Sequence, residues 1–225
     1  MEALTLRRTA PASINPAQQR ERDAWRREID LLTDLMELHG AGGGARTKAE
    51  RLLRQAGNLS ALLSGGLGRL RAIGATDCEI RTLQLIRNAV ALSLRRRAFQ
   101  RAALTSLRAV VDYLHADMAH LDHEVLRCLL LTNRNDLIHD ELVHRGSLMS
   151  VEVHPRRVAQ AALDHGAAAV ILVHNHPSGN PTPSRDDVQI SGSVRNALRT
   201  IGVLLHDHVI VARSGHVSMR EMGLI

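Results

Sequence analysis

The hydrophobic positions in the first part of the chain follow a helical period. Apolar side chains recur three or four residues apart from Glu21 to Leu38, which predicts a helix, and the glycine run from Gly40 to Gly44 ends it. Further helices are predicted at Ala49–Gln55, at Leu59–Ser64 and from Thr76 to about Leu94. Thr76 and Glu79 have the spacing of a capping box, which marks the start of the last of these helices.

From Ser106 onward, strands and helices alternate. Short apolar runs predict strands at Val125–Thr132, Leu137–His144, Leu148–Val153, Ala168–His174 and Val203–Val211. Helices are predicted at Ser106–His115, from Pro155 to Gly166 and from Arg185 to about Ile201, and a hairpin is predicted near Gly215. Mixed strands and helices around one sheet predict an α/β domain that follows an all-helical one.

The charge divides the chain in the same way. Met1 to Ala103 carries 18 Lys and Arg against 10 Asp and Glu, a net charge of +8, whereas Leu104 to Ile225 carries 11 against 13, a net charge of −2. We therefore predict a polar, proline-punctuated arm over residues 1–20, a helical domain over 21–103 and an α/β domain over 104–225. The basic half predicts nucleic acid as a partner, although aromatic side chains for stacking on bases are scarce there.

Composition also limits the setting of the protein. Apolar residues make up 44% of the 225 residues, which is enough for buried cores, and those cores must be aliphatic because the chain has three Phe, Trp and Tyr residues in all. The first thirty residues lack the apolar core of a signal peptide, and no stretch approaches the roughly 18 apolar residues of a membrane span. We expect a cytoplasmic protein with no membrane partner and with free thiols at Cys78 and Cys128.

The residues that predict chemistry follow the Ala168–His174 strand. His174 and His176 are two positions apart on an extended segment, so both imidazoles can point to one place. Imidazole nitrogens suit zinc, and Asp187 could add a carboxylate oxygen as a third ligand. Three protein ligands leave one coordination position open, which is typical of hydrolytic zinc sites.

The segment around Asp187 also has a structural interpretation. Ser184 and Asp187 have the spacing of a capping box, which would hold Asp187 rigidly in the first turn of a helix. This interpretation and the ligand role are compatible. The proline and glycine residues before Ser184 keep the intervening loop out of regular structure.

These residues together resemble a known family. His174-x-His176-Pro177-x-Gly179, seven residues between His176 and Ser184, and then Ser184-x-x-Asp187 match the signature of the JAMM (MPN+) zinc metalloproteases. The fuller string HNHPSGNPTPSRDD resembles the bacterial RadC branch of that superfamily, and the resemblance extends from about Leu107 to Ile225. It implies a JAMM/MPN-type mixed sheet flanked by helices.

The resemblance also implies an activity. A zinc ion held by His174, His176 and Asp187 would activate water for hydrolysis of an amide bond in a protein or peptide substrate. The family has a glutamate at the start of an upstream strand as general base, and Glu124 fits that place. Glu141 and Glu152 remain alternatives. Ser184 would hydrogen-bond the attacking water or the oxyanion.

Two further segments bear on function. Leu67 to Leu83 resembles a helix-hairpin-helix, the phosphate-contacting module that RadC-like proteins carry ahead of their metal domain, but its hairpin has one glycine, Gly74, and an acid, Glu79, nearby. The second His-x-His, at His206 to His208, is expected to orient neighbouring groups rather than to bind a separate metal.

Two rival functions remain. One is a non-catalytic module with a structural or vestigial metal that docks on DNA or a repair complex. The other, a deaminase-type zinc site, requires His-x-Glu and Pro-Cys-x-x-Cys motifs that the sequence lacks.

Overall fold

The computed structural model describes residues 15–38, 40, 42–99, 107–146 and 154–225. These form two compact units, one ending at Leu59 and the other beginning at Ser60. The domain boundary expected near Ala103 falls on residues outside the described ranges and stays a prediction.

The first unit is a helical pair, α1 (Pro16–Leu38) and α2 (Ala45–Ala56), with a short 3₁₀ turn between them. The Asn15 side chain accepts the Ala17 amide at 3.0 Å, and Pro16 follows in the first helical position, so α1 begins there. The predicted arm was therefore too long at its end, because its last residues belong to α1; residues 1–14 lie outside the described ranges. Aliphatic side chains of α1 and α2 form the core: Ile29, Leu32, Met36, Ala49, Leu52 and Leu53.

The second unit begins with helices α3 (Leu59–Leu63), α4 (Leu67–Ala72), α5 (Asp77–Phe99) and α6 (Leu107–Met118). The capping box predicted at the start of α5 is confirmed. The Thr76 amide donates to the Glu79 carboxylate at 2.8 Å, and the Glu79 amide donates to the Thr76 hydroxyl at 3.4 Å. Glu79 is buried, so the hairpin amide at Thr76 already binds an anion from its own chain.

The described residues also contain a five-stranded sheet in the order β2-β1-β3-β4-β5. Its strands and the remaining helices are β1 (Val125–Leu131), β2 (Leu137–Arg145), α7 (Pro155–Asp164), β3 (Ala169–Asn175), α8 (Arg185–Thr200), β4 (Leu204–Ala212) and β5 (Gly215–Ser218). The β3–β4 pair is parallel, with α8 as its crossover, and the other pairs are antiparallel. The predicted α/β architecture is confirmed, whereas the strand predicted at Leu148–Val153 lies outside the described residues.

Each face of the sheet has its own helices. Ala169, Ile171 and Val173 of β3 pack with α6, whereas Val170 and Leu172 pack with α7 and α8. Because side chains alternate along a strand, His174 must lie on the α8 face. All seven residues of β3 are buried, so it is the central strand of this core. Among the described residues, no helix is long and apolar enough to cross a membrane.

Candidate metal centre

The carboxyl end of β3 carries both histidines of the first His-x-His pair. His174 is fully buried within the strand, opposite Leu126 of β1 and beside Ile210 of β4. His176 is one residue past the strand, where its amide still donates to the Val211 carbonyl at 2.9 Å. This bond keeps the backbone extended, so both imidazoles lie on the α8 face.

Asp187 reaches the same place from the first turn of α8. The predicted capping box is confirmed. Asp187 Oδ2 accepts hydrogen bonds from the Ser184 amide at 2.6 Å and from the Ser184 hydroxyl at 2.7 Å. The Asp187 amide donates back to Ser184 Oγ at 3.2 Å. The other carboxylate oxygen, Oδ1, lies 3.0 Å from His174 Nε2. The cap thus fixes the carboxylate while leaving Oδ1 for the centre.

Three candidate ligand atoms converge. The Nε2 atoms of His174 and His176 are 2.8 Å apart, and His176 Nε2 is 3.5 Å from Asp187 Oδ2. Within the described part of the chain, these three residues are the group whose ligand atoms could share one metal ion. The structure therefore brings together the three residues that the sequence predicted as ligands.

Hydrogen bonding behind His174 assigns its tautomer. Ser191 Oγ lies 2.5 Å from the Asp187 carbonyl, which can only accept, so the serine donates its proton there. His208 Nδ1, 2.6 Å from Ser191 Oγ, must then donate to the serine oxygen, and its Nε2 is left as an acceptor. His174 Nδ1 lies 2.8 Å from that acceptor, so it carries the hydrogen, and in the neutral ring Nε2 of His174 carries none.

His176 reaches the same state independently. Its Nδ1 is 2.9 Å from the Asn180 carbonyl and must donate to it, so in the neutral ring its Nε2 also lacks a hydrogen. When both rings are neutral, two imidazole nitrogens without hydrogen and a carboxylate oxygen face one another, an arrangement that is repulsive unless a proton or a metal cation lies between them. Two imidazole nitrogens and one carboxylate oxygen are a donor set that fits zinc.

The pKa values of three residues at the centre, Asp187, His176 and His208, reflect how closely the groups are packed. Burial would raise the pKa of Asp187, but its contacts with both imidazoles and the hydrogen bonds from Ser184 hold it well below its usual range. The contact with the Asp187 carboxylate raises the pKa of His176 against the effect of burial, and the charge of Glu124 adds to that rise. Complete burial lowers the pKa of His208 far below its usual value, which keeps it neutral as the assigned network requires.

Glu124 lies at the edge of this centre. Extending the β1–β3 register by two residues places it opposite His176, and its negative charge contributes to the raised pKa of His176. Asn175, the residue between the two histidines, fixes the backbone on both sides of Glu124. Its Oδ1 accepts the Val125 amide at 2.8 Å and its Nδ2 donates to the His123 carbonyl at 3.0 Å.

The alternative acids are placed differently. Glu141 lies in β2 opposite Cys128, and its carboxylate contacts His139 at 3.0 Å. Glu152 lies outside the described residues. Glu124 therefore lies beside the centre by strand register, whereas Glu141 lies on β2 in contact with His139.

Comparisons with known proteins agree with this geometry. The family model described as a RadC-like JAB domain matches residues 104–224. The chain belongs to the RadC family. A UPF0758 protein of Rhodobacter capsulatus is 39% identical over 178 residues, which cover 79% of this chain and 83% of the relative. The UPF0758 protein SPO0054 of Ruegeria pomeroyi is 38% identical over 178 residues, covering 79% and 80%.

In this RadC-like domain, the second His-x-His supports the first. Its last residue, His208, orients His174, as described above, whereas His206 bonds Asn135 at 2.8 Å on a different part of the surface. Asp207 accepts the His208 amide at 2.7 Å and the Ser218 hydroxyl at 2.6 Å, which ties β4 to β5. These contacts match the orienting role that the sequence predicted for the segment.

The loop between His176 and Ser184 is held in place by the segment that follows β4. Arg213, just past β4, donates to the Ser178 carbonyl at 3.2 Å, and the Ser214 amide donates to the Gly179 carbonyl at 3.2 Å. Gly179 has a positive φ of 89°, and a Cβ there would lie 3.0 Å from Arg213. A glycine is therefore needed where the loop turns to present the Asn180 carbonyl to His176.

We expect His208→Ala to weaken zinc binding about 10-fold to 100-fold, the usual effect of removing a group that orients a ligand histidine. The substitution leaves the His174 Nδ1 hydrogen buried without an acceptor and removes the bond that selects the tautomer. Competition with a chelator measures the affinity. His206→Ala removes a histidine from the same strand without touching the centre, so its affinity should equal that of the wild type. Equal affinities for all three proteins would contradict the assigned network.

Proposed function

We propose that this RadC-like protein is a zinc-dependent amide hydrolase that acts on protein or peptide substrates. The observation that carries the proposal is the meeting of two Nε2 atoms and a carboxylate oxygen, because neutral imidazoles and a carboxylate at this spacing suit a shared metal cation. The three-ligand set leaves room for a further ligand, which is typical of catalytic rather than structural zinc. When bound, zinc supplies Lewis acidity that polarises a carbonyl group and lowers the pKa of water.

The chain's own residues account for the proton transfers. Glu124, with its backbone fixed by Asn175, takes a proton from the attacking water and later passes it to the leaving amine. An amine is a poor leaving group unless it is protonated, so one carboxylate near the centre serves both steps. His174 and His176 hold their hydrogens on Nδ1, in bonds to His208 and Asn180, and so do not compete as bases.

Ser184 has a second role in this proposal. Its hydroxyl donates to Asp187 in the structure, and the residue is exposed at the start of α8. The Ser184 amide also donates to Asp187 Oδ2, so the carboxylate stays fixed if the hydroxyl turns away. The hydroxyl can then donate to the oxyanion that forms during hydrolysis.

The test is zinc content measured together with hydrolysis. We expect the full chain to bind one zinc and, when loaded, to cut members of a library of peptides and lysine isopeptides. The double variant His174→Ala, His176→Ala should bind no zinc and cut none. If the zinc-loaded wild type cuts no member of the library and instead retains duplex DNA at high salt, the non-catalytic module is the correct function, since charge attraction alone weakens steeply with salt.

A further inference from the structure

A cavity of about 310 Å³ lies among α3, α5 and α6, apart from the metal centre. Helix α6 packs on the face of the sheet opposite to α8. The sheet therefore separates this cavity from His174 and Asp187. The proposed hydrolase does not use it.

Arg87 of α5 lines the cavity and is 9% exposed. Within the part of the chain that the structure describes, its Nε has no hydrogen-bond partner and its guanidinium forms no ion pair. Burial lowers the pKa of Arg87, and Asp117 offsets this by attraction from a longer distance. A buried cation without a paired anion is unfavourable, so an anion that enters the cavity gains a partner that the protein lacks.

The other walls suit an amphiphilic ligand. Ser60 in α3 and the buried Ser64 just after that helix bring hydroxyl groups, while Leu63, Val90 and Leu94 form an apolar side. Such a mixture, with a few polar groups and an apolar wall, is the usual composition of a small-molecule site.

We propose that this cavity binds a small carboxylic acid anion with a short apolar body. Its carboxylate group pairs with Arg87 and accepts a hydrogen bond from the Ser64 hydroxyl. The planar guanidinium matches a carboxylate, and one positive charge balances one negative charge.

A doubly charged phosphate fits less well. Asp112 lines the cavity and repels a second negative charge. Burial lowers the pKa of His115 against the opposing effect of the backbone at Ala212 and Arg213, so the ring favours its neutral form. A monoanion is therefore favoured over a dianion in this cavity.

The experiment titrates the full chain with 4-methylpentanoate and, separately, with inorganic phosphate, using calorimetry and amide NMR shifts. We expect saturable binding of 4-methylpentanoate, with shifts at residues of α3 and α5. Arg87→Met should weaken that binding about tenfold or more, since it removes a charge-assisted hydrogen bond. Arg81→Met, at an exposed arginine of the same helix, should leave it unchanged.

A second variant separates binding from folding. Val90 is 42% exposed, so Val90→Trp can fill the cavity from its open side without altering the charge, and it should abolish binding while the protein stays folded. The proposal is overturned if the wild type binds phosphate but not 4-methylpentanoate, if it binds neither, or if the Arg87→Met or Val90→Trp protein binds as tightly as the wild type.

Discussion

Replacing Glu124 with glutamine is expected to leave zinc binding intact and to slow hydrolysis by a factor of about 10² to 10⁴, the usual contribution of a general acid–base group. Glutamine has the shape of glutamate but cannot take a proton from water. It should also retain the backbone contacts that Asn175 makes on either side. The measurements are zinc content and kcat on a substrate from the library.

The matched control is Glu141→Gln. Glu141 lies on the neighbouring strand and contacts His139, so its loss should change kcat little. The prediction fails if Glu124→Gln keeps full activity, or if Glu141→Gln loses as much. Loss of zinc from Glu124→Gln would also contradict it, because it would make Glu124 a ligand rather than a base.

Local patterns in the sequence predicted the elements that carry this site. The apolar run before His174 could be buried only as a central strand, and the Ser184–Asp187 spacing predicted the cap that now holds the carboxylate. Both signals lie within a few residues of the groups that they position. For this reason the sequence alone is enough to predict these elements, without knowledge of the rest of the fold.

The supporting groups depend on contacts between distant segments. Ser191 and His208 meet behind His174 because β4 lies parallel to β3 and α8 crosses between them. That register is set by packing, not by spacing along the chain. Asn175 had a weak signal, since a buried amide between two ligand histidines must find partners, but the sequence could not show that those partners flank Glu124.

The Thr76–Glu79 capping box also changes the interpretation of the helical hairpin. The sequence placed one acid near the expected phosphate position, and the structure shows its carboxylate on the Thr76 amide. A phosphate at this amide would have to displace an internal, buried anion. DNA association through this hairpin is therefore disfavoured, and any role of the basic half in DNA binding requires other residues.

Asp187→Asn is expected to weaken zinc binding on the order of 10²-fold. In zinc-finger peptides, four protein ligands share an apparent zinc-binding free energy of about 10–16 kcal/mol, so one ligand contributes about 3 kcal/mol. An asparagine oxygen can still accept the Ser184 amide, so the cap survives in weakened form and the fold should lose about 1 kcal/mol. Chelator competition measures the first effect and denaturant unfolding of the zinc-free protein the second.

Asp186→Asn supplies the control, because Asp186 is exposed in the same turn of α8 and has the same charge near the helix amino terminus. Its zinc affinity should equal that of the wild type. The pKa of folded Asp187 is depressed, so its contribution to the zinc-free fold is present above the ordinary carboxyl pKa and is lost as the pH falls. The stability difference between the two variants should therefore be full at neutral pH and shrink in acid. A difference that grows in acid would mean that Asp187 is not held as a carboxylate.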